Sequence, residues 1–251
     1  MYNCNIDHFL QKEEKKTKKA LKLATVLLTA VMFTAGCQGV SSEEKKSSGR
    51  DLKQVLIEKM EKKYDDKFTV IENAGGGSGM SEHCAVFVSS EKLPDDRIYA
   101  VHGIFDGKSS DMDNYMAYYL RKDADAYLTK LAGEVYGECK AFCKPEERSL
   151  LPDDIGKSSS AAEMLRSTKM YYYVFLPPQD TADKEEKLDR MYEKLRTEKL
   201  NCYFYIAYLN SKEYYTKMDS FEGTDKSEIS TYCTLGMDDG FNIVERQWGN
   251  Q

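Results

Sequence analysis

Five cysteines and two histidines downstream of residue 37 are the side chains best suited to nucleophilic or metal chemistry: Cys84, Cys139, Cys143, Cys202 and Cys233, with His83 and His102. A cysteine–histidine nucleophile pair or a zinc site needs these groups to converge, and their spacing along the chain does not suggest it. Cys84 alternates in phase with Val86 and Val88, Cys202 with Phe204 and Ile206, and Cys233 with Leu235. That phase is the pattern of a small buried hydrophobe. Cys139 and Cys143 would lie roughly 13 Å apart in an extended segment, too far to bond to each other. One or two cross-strand disulfides elsewhere stay open, because an exported chain meets an oxidising compartment. His83 points away from the Cys84 face and His102 is in phase with Ala100 and Ile104, so both read as structural histidines. The run Gly75-Gly76-Gly77-Ser78-Gly79 lacks the following helix and lysine of a phosphate cradle and reads as a strand connection. Asp111, Asp113 and Asn114 lack the glycine and distal glutamate of a calcium loop and read as an N-cap cluster. No Gly-x-Ser-x-Gly or His-Glu-x-x-His occurs. No residue is therefore assigned to catalysis, to a cofactor or to a metal.

The strongest chemical signal is nearer the amino terminus. Lys12, Lys15, Lys16, Lys18, Lys19 and Lys22 precede an apolar run, Leu23 to Phe33, which ends in Thr34-Ala35-Gly36-Cys37. Charge, apolar helix and small residues in that order form the layout of an export signal. The ending resembles the lipobox of bacterial lipoproteins, with Thr34 where leucine is commonest. That resemblance implies a diacylglyceryl group on the Cys37 thiol and cleavage that makes Cys37 the first residue. It also places the mature protein on the outer face of the cell membrane. The competing reading is an uncleaved membrane span, since residues 23–42 carry no charge. Its last six residues, Cys37 to Ser42, are poor hydrocarbon-core material, however. Two or more acyl chains hold a protein stably, at about 0.8 kcal/mol per buried methylene.

Residues 1–36 thus read as a signal peptide, 37–50 as a polar tether and 51–251 as the globular region, with a possible lobe boundary within 144–160. The tether, from Gln38 to Gly49, is too apolar-poor to order itself and would reach about 20 Å. The signal carries six lysines against Asp7, Glu13 and Glu14, so its removal takes the net charge from −6 to −9. An acidic body argues against nucleic acid and anionic headgroups as partners.

The elements that must position any site follow from periodicity. A helix is expected over Asp51–Lys63, then strands at Phe68–Ile71, Cys84–Val88 and Ile98–Phe105. A long helix is expected from about Met112 to Tyr136, then a short strand through Cys139–Cys143 and a polar connection over Lys144–Ser160. Met170–Leu176 is apolar on both faces and reads as an interior strand. Asp183 and Glu186 form a capping-box pair for a helix to about Leu200. Cys202–Leu209 is a strand, Ser211–Met218 a short helix, and Ile229–Leu235 with Phe241–Gln247 closing strands around Asp238-Asp239-Gly240. Strands and helices mix without strict alternation, which gives an α+β fold with mostly antiparallel sheets on three main helices.

Seventeen of the eighteen tyrosines lie beyond Cys37. Tyr171–Tyr173, Tyr203, Tyr205 and Tyr208 fall on strands, where half-buried positions favour tyrosine for packing alone. The same side chain also suits protein or glycan surfaces. Glu58 to Val70, which contains Lys63-Tyr64-Asp65-Asp66, and the later Asp113-Asn114-Tyr115 resemble uncharacterised lipoproteins of Gram-positive gut bacteria. In those a helix ends in Lys-Tyr-Gly-Glu and Asp-Asn-Tyr opens a later one. The resemblance implies location and no activity. The expected role is therefore a non-enzymatic, lipid-anchored binding protein with a protein or glycan partner. The alternative is a lipid-anchored hydrolase whose site assembles only in three dimensions. Replacement Cys37→Ser is expected to release the protein from membranes or leave it unprocessed; membrane fractionation with intact-mass analysis reads the outcome, and a full-mass, still-acylated product would sink the anchor.

Overall fold

A computed structural model describes residues 52–75, 83–105 and 108–250, all within the unit Gly49–Gln251. Cys37, the segment read above as an export signal and most of the glycine run lie outside the described residues. Helix α1 (Leu52–Tyr64) leads into β1 (Phe68–Gly75), β2 (Cys84–Ser90), β3 (Ile98–Phe105) and β4 (Lys108–Asp113). These four strands form one antiparallel sheet in chain order. Helices α2 (Tyr115–Tyr119) and α3 (Arg121–Tyr136) follow, then β5 (Lys140–Pro145), α4 (Ala161–Ser167) and β6 (Met170–Leu176). The chain closes with α5 (Lys184–Thr197), β7 (Cys202–Leu209), α6 (Lys212–Lys217), β8 (Ile229–Met237) and β9 (Ile243–Asn250). Strands β5 to β9 form a second sheet in that order, antiparallel except for the β6–β7 pair. The fold is α+β, with two mostly antiparallel sheets. Among the described residues no helix is long and apolar enough to cross a membrane.

Each sheet turns one face to a shared apolar cluster. Val86, Val88, Ile98 and Ala100 meet Leu56, Met60 and Tyr64 of α1 there, while Val174, Ile206 and Leu235 meet Leu128, Leu188 and Leu195 of α3 and α5. A fully buried leucine or valine contributes about 1.5–3 kcal/mol relative to exposure. No residue of β6 or β7 is exposed. That explains the unbroken apolar reading of Met170–Leu176: α5 closes the parallel crossover on one face, and further chain covers the other.

Three local expectations are corrected, and one helix is added. The span Met112–Tyr136 is not one helix: β4 takes residues up to Asp113, and the remainder is interrupted at Leu120. The β3–β4 register runs from Ala100 opposite Asp113 to Phe105 opposite Lys108, so the hairpin claims backbone groups a helix would have used. Of Asp111, Asp113 and Asn114, only Asp113 serves the start of α2, accepting from the Tyr115 amide, and the capping residue Asn114 makes no side-chain cap bond. Asp183 makes none either, and its carboxylate pairs instead with Lys187 at 3.1 Å. Both residues sit near ψ 15–20°, not in the extended region from which a side chain folds back onto the first turn. Finally, α4 lay unread after the Ser160 connection, although Ser160 and Glu163 form a complete capping box there.

Two distant segments lock the first sheet to its helices. The Tyr64 hydroxyl donates to both oxygens of Asp113, at 2.9 and 3.0 Å. The Tyr115 hydroxyl donates to Asp66 at 2.8 Å, and the Tyr115 amide donates to Asp113 at 2.9 Å. The two rings lie 4.4 Å apart. All four residues are buried. Burial pushes the Asp113 carboxyl up, against the pull of Lys63, the Tyr115 amide and Tyr64. Burial also works to raise Asp66, but bonds from Tyr115, Ser90 and the Lys67 amide together bring it below the usual carboxylate range. Asp65, between the two partners of the lock, has φ +48°. Glycine adopts that conformation freely and other residues only rarely. Replacement Tyr64→Phe strands part of a buried carboxylate and is expected to cost about 1–3 kcal/mol. Urea unfolding checks this, and a change under about 0.5 kcal/mol, the size of an ordinary surface substitution, would show the lock to be idle.

Candidate functional site

All five described cysteines are buried and none forms a disulfide. Burial lifts the Cys139 thiol to about 11 and the Cys233 thiol to about 12, and raises Cys143 and Cys202 further. These four thiols are inert core fillers. His102 Nδ1 lies 2.6 Å from Asp111, which also pairs with Lys59 of α1. The structure brings Cys84 directly opposite His102, a convergence that spacing along the chain did not suggest. The signal was present in the hairpin: the β2–β3 pairs are symmetric about Leu93, so the register follows once the turn is placed. Of the glycine run, Gly75 ends β1 at φ +148°. Among the described residues no group of three or more His, Cys, Asp or Glu side chains could hold a metal ion.

A groove of about 680 Å³ runs between α3 and α5, lined by Tyr127, Lys130, Glu134, Asp189, Arg190 and Glu198 among others. Tyr127 donates to Glu198 at 2.8 Å, Arg166 pairs with Glu198 at 2.5 Å, and Lys194 pairs with Glu134 at 2.5 Å. Glu134 is lowered by Lys194, and Glu198 by Tyr127 and Arg166. Both are thereby committed as anions, the reverse of a carboxyl poised to give up a proton near neutrality. The groove is an exposed ion-pair seam, worth little energetically and without acid–base character.

The aromatic concentration lies elsewhere, on the face of the second sheet turned away from the shared core. Pairing puts Lys144, Tyr171, Tyr203, Gly236 and Glu245 in one row across the five strands. Phe142, Tyr173, Tyr205, Thr234 and Gln247 form the next, and Lys140, Phe175, Ala207, Tyr232 and Gly249 the third. Period-two alternation in β6 and β7 places every second tyrosine here. Tyr171 stacks on Tyr203 at 4.9 Å, and Tyr205 on Tyr232 at 5.7 Å. Phe221, from the segment after α6, stacks on Tyr173 at 4.4 Å with planes 1° apart. Lys140 Nζ holds that segment down by bonding the Thr216 and Met218 carbonyls. Roofing closes the middle and far rows near β5, and leaves Tyr171, Tyr203 and Tyr232 half-buried.

One glycine shapes this face. A Cβ on Gly249 would meet the Tyr232 ring at 2.4 Å, and one on Gly236 would lie 3.9 Å from the Tyr203 ring. The missing side chain at Gly249 lets the Tyr232 ring lie down against the neighbouring strand, whereas at Gly236 a Cβ would only touch the Tyr203 ring at ordinary contact distance. Lys169 Nζ sits 3.9 Å over the Tyr203 ring. Not every tyrosine belongs to this surface: Tyr64 and Tyr115 on helices and Tyr172 and Tyr208 on strands are buried core residues, the last two as strand packing predicts. Replacement Gly249→Ala is expected to lift the Tyr232 ring and cost about 1–3 kcal/mol of stability. In the Tyr232→Ala background the same change should cost well under half as much, which a urea-unfolding cycle measures; full additivity would show that the ring does not rest on the glycine.

No protein-family model matches the chain, and a search of curated proteins finds no match. Among solved structures the chain is similar to a DUF5037 family protein from Ruminococcus gnavus, a crystal structure with 11% sequence identity. The likeness covers 78% of this chain and 95% of that one, with a TM-score of 0.35. At that score it fixes neither topology nor chemistry.

Proposed function

We propose that this chain is a lipoprotein, held on the outer face of the cell membrane through Cys37, that binds a glycan on the aromatic face of its second sheet. The observation that carries the reading is the half-buried set Tyr171, Tyr203 and Tyr232, with Tyr232 lying against Gly249 and the set bordered by Lys144, Glu245 and Gln247. Sugar rings present apolar C–H patches beside hydroxyls. A flat tyrosine accepts the first through its ring and the second through its phenol, and the bordering polar groups add direction. An acidic body favours a neutral glycan over an anionic one. The membrane anchor is supported by the lipobox resemblance at Cys37, and a polar tether gives the binding face room to reach a surface polymer.

Affinity electrophoresis of the purified protein against a panel of neutral polysaccharides is the test. Binding to at least one is expected, with Tyr203→Ala lowering affinity about tenfold, equivalent to about 1.4 kcal/mol. Tyr119→Ala, an exposed tyrosine on α2, should leave affinity unchanged. Absence of binding to every polysaccharide, or equal losses in both variants, would overturn the reading.

A further inference from the structure

Two consecutive hairpins create a second arrangement, independent of the aromatic face. In the β2–β3 pair Cys84 lies directly opposite His102, and in the β3–β4 pair His102 lies directly opposite Asp111. Directly opposed residues of an antiparallel pair project to the same face, with Cβ atoms about 4.5–5.5 Å apart. The three side chains therefore form one transverse row, in the order thiol, imidazole, carboxylate, at the end of the sheet where β2 begins. His102 Nδ1 is committed to Asp111 Oδ1 at 2.6 Å. In the neutral ring that bond fixes the proton on Nδ1 and leaves the lone pair on Nε2, the nitrogen remote from Asp111. The carboxylate is itself fixed by Lys59 of α1.

None of the other four cysteines has this setting. Cys143 faces Tyr172, and Cys202 lies beside Met170 with the Met237 sulfur 3.9 Å away. Cys233 lies between Ile206 and Trp248, and Cys139 bonds the Thr129 carbonyl. Cys84 alone has a histidine as its cross-strand neighbour, and that histidine alone has a carboxylate on its far side. Exposure is graded along the row: the Cys84 residue is 4% exposed, the His102 side chain 13% and the Asp111 side chain 24%. The row thus runs from a shielded sulfur to a partly solvated carboxylate.

We propose that Cys84 is a nucleophile for acyl transfer from carboxylic esters, with His102 as its general base and Asp111 as the residue that positions the imidazole. This is the division of labour by which a weak nucleophile is activated through an oriented neighbouring base. In the first half-reaction His102 Nε2 takes the Sγ proton, sulfur bonds to the ester carbonyl carbon, and the carbon–alkoxy bond breaks. The departing alkoxide takes the proton from His102, leaving a thioester on Cys84. In the second half, His102 takes a proton from water, whose oxygen bonds to the acyl carbon. The carbon–sulfur bond breaks and the thiolate recovers the proton. The sum is ester plus water giving acid plus alcohol, with no change of oxidation state. Lys59 keeps Asp111 anionic: burial works to raise that carboxyl, but bonds from Lys59 and His102 bring it below its usual range.

The test uses the full-length protein with iodoacetamide and p-nitrophenyl acetate. Peptide mass mapping between pH 6 and 8 should show Cys84 alkylated at least tenfold faster than Cys139, Cys143, Cys202 or Cys233. The acetate ester should release about one equivalent of p-nitrophenolate in a burst, with the acetyl mass on the Cys84 peptide. H102Q should slow Cys84 alkylation at least tenfold at pH 7, and D111N should move the pH at which that rate is half-maximal. Both comparisons are made at matched circular dichroism. The wild-type measurement needs no variant: if Cys84 alkylates no faster than the other four, or reacts without a burst, the proposal falls. It falls equally if H102Q folds and leaves the Cys84 rate unchanged. Glycan binding is unaffected in every one of these outcomes, so the two functional readings stand or fall separately.

Discussion

The exchange of hydroxyl and carboxylate between residues 64–66 and 113–115 is the constraint around which the rest of the first sheet is arranged. Each segment supplies one tyrosine and one aspartate, and each tyrosine serves the other segment's aspartate. Buried carboxylates are costly unless their oxygens are satisfied, so the arrangement tolerates little displacement of either segment. It joins the end of α1 to the point where β4 gives way to α2. Asn114, fully buried between them, accepts from the Tyr99 amide at 2.7 Å and donates to the Glu147 carbonyl at 3.2 Å. The connection after β5 is thereby tied to the same corner, and Leu151 makes a bridge to Asp113. With that corner fixed, Lys59 one turn back along α1 falls beside Asp111, and Asp111 beside His102. A polar lock in the core thus fixes the register that aligns the thiol, the imidazole and the carboxylate.

The second sheet solves a different problem, because its central strands are covered on both faces. Its inner face is closed by α3 and α5, and its outer face by rings that cover one another and by the Phe221 segment. Aromatic residues suit this place because they remove a large area from water without a covering helix. Where the roof ends the rings continue, and Tyr171, Tyr203 and Tyr232 are left half-buried. The rings of this face differ chiefly in whether Phe221 or solvent lies beyond them.

Much of the architecture was legible in residue order. The period-two runs of β6 and β7, and the helical stripe of Leu188, Met191 and Leu195, found their elements because burial is strong on those faces. Strand β4 was missed because Lys108 to Asp113 is polar and sits on an edge, where neither face is pressed into a continuous core. The Asp106-Gly107 dipeptide between two strands was its one local sign. The Ser160–Glu163 box was equally visible and announced a helix too short for periodicity to register. Gly249 carried no sequence signal, since its role is to make room for the Tyr232 ring on the neighbouring strand. The partnership of Cys84 with His102 and Asp111 was hidden for the same reason: it is a property of strand register, which composition and spacing do not encode until both turns are placed.

The parallel pairing of β6 and β7 has a kinetic corollary. Strands β1 to β4 meet their neighbours across short connections, so each contact costs little loop-closure entropy. Joining β6 to β7 requires the intervening chain, with α5 in it, to swing across the sheet before the first ladder bond can form. Non-local pairings of this kind slow assembly. The amino-terminal sheet can therefore nucleate from nearest neighbours, whereas the carboxy-terminal sheet waits on a crossover and holds its tyrosine-rich strands open to wrong partners for longer.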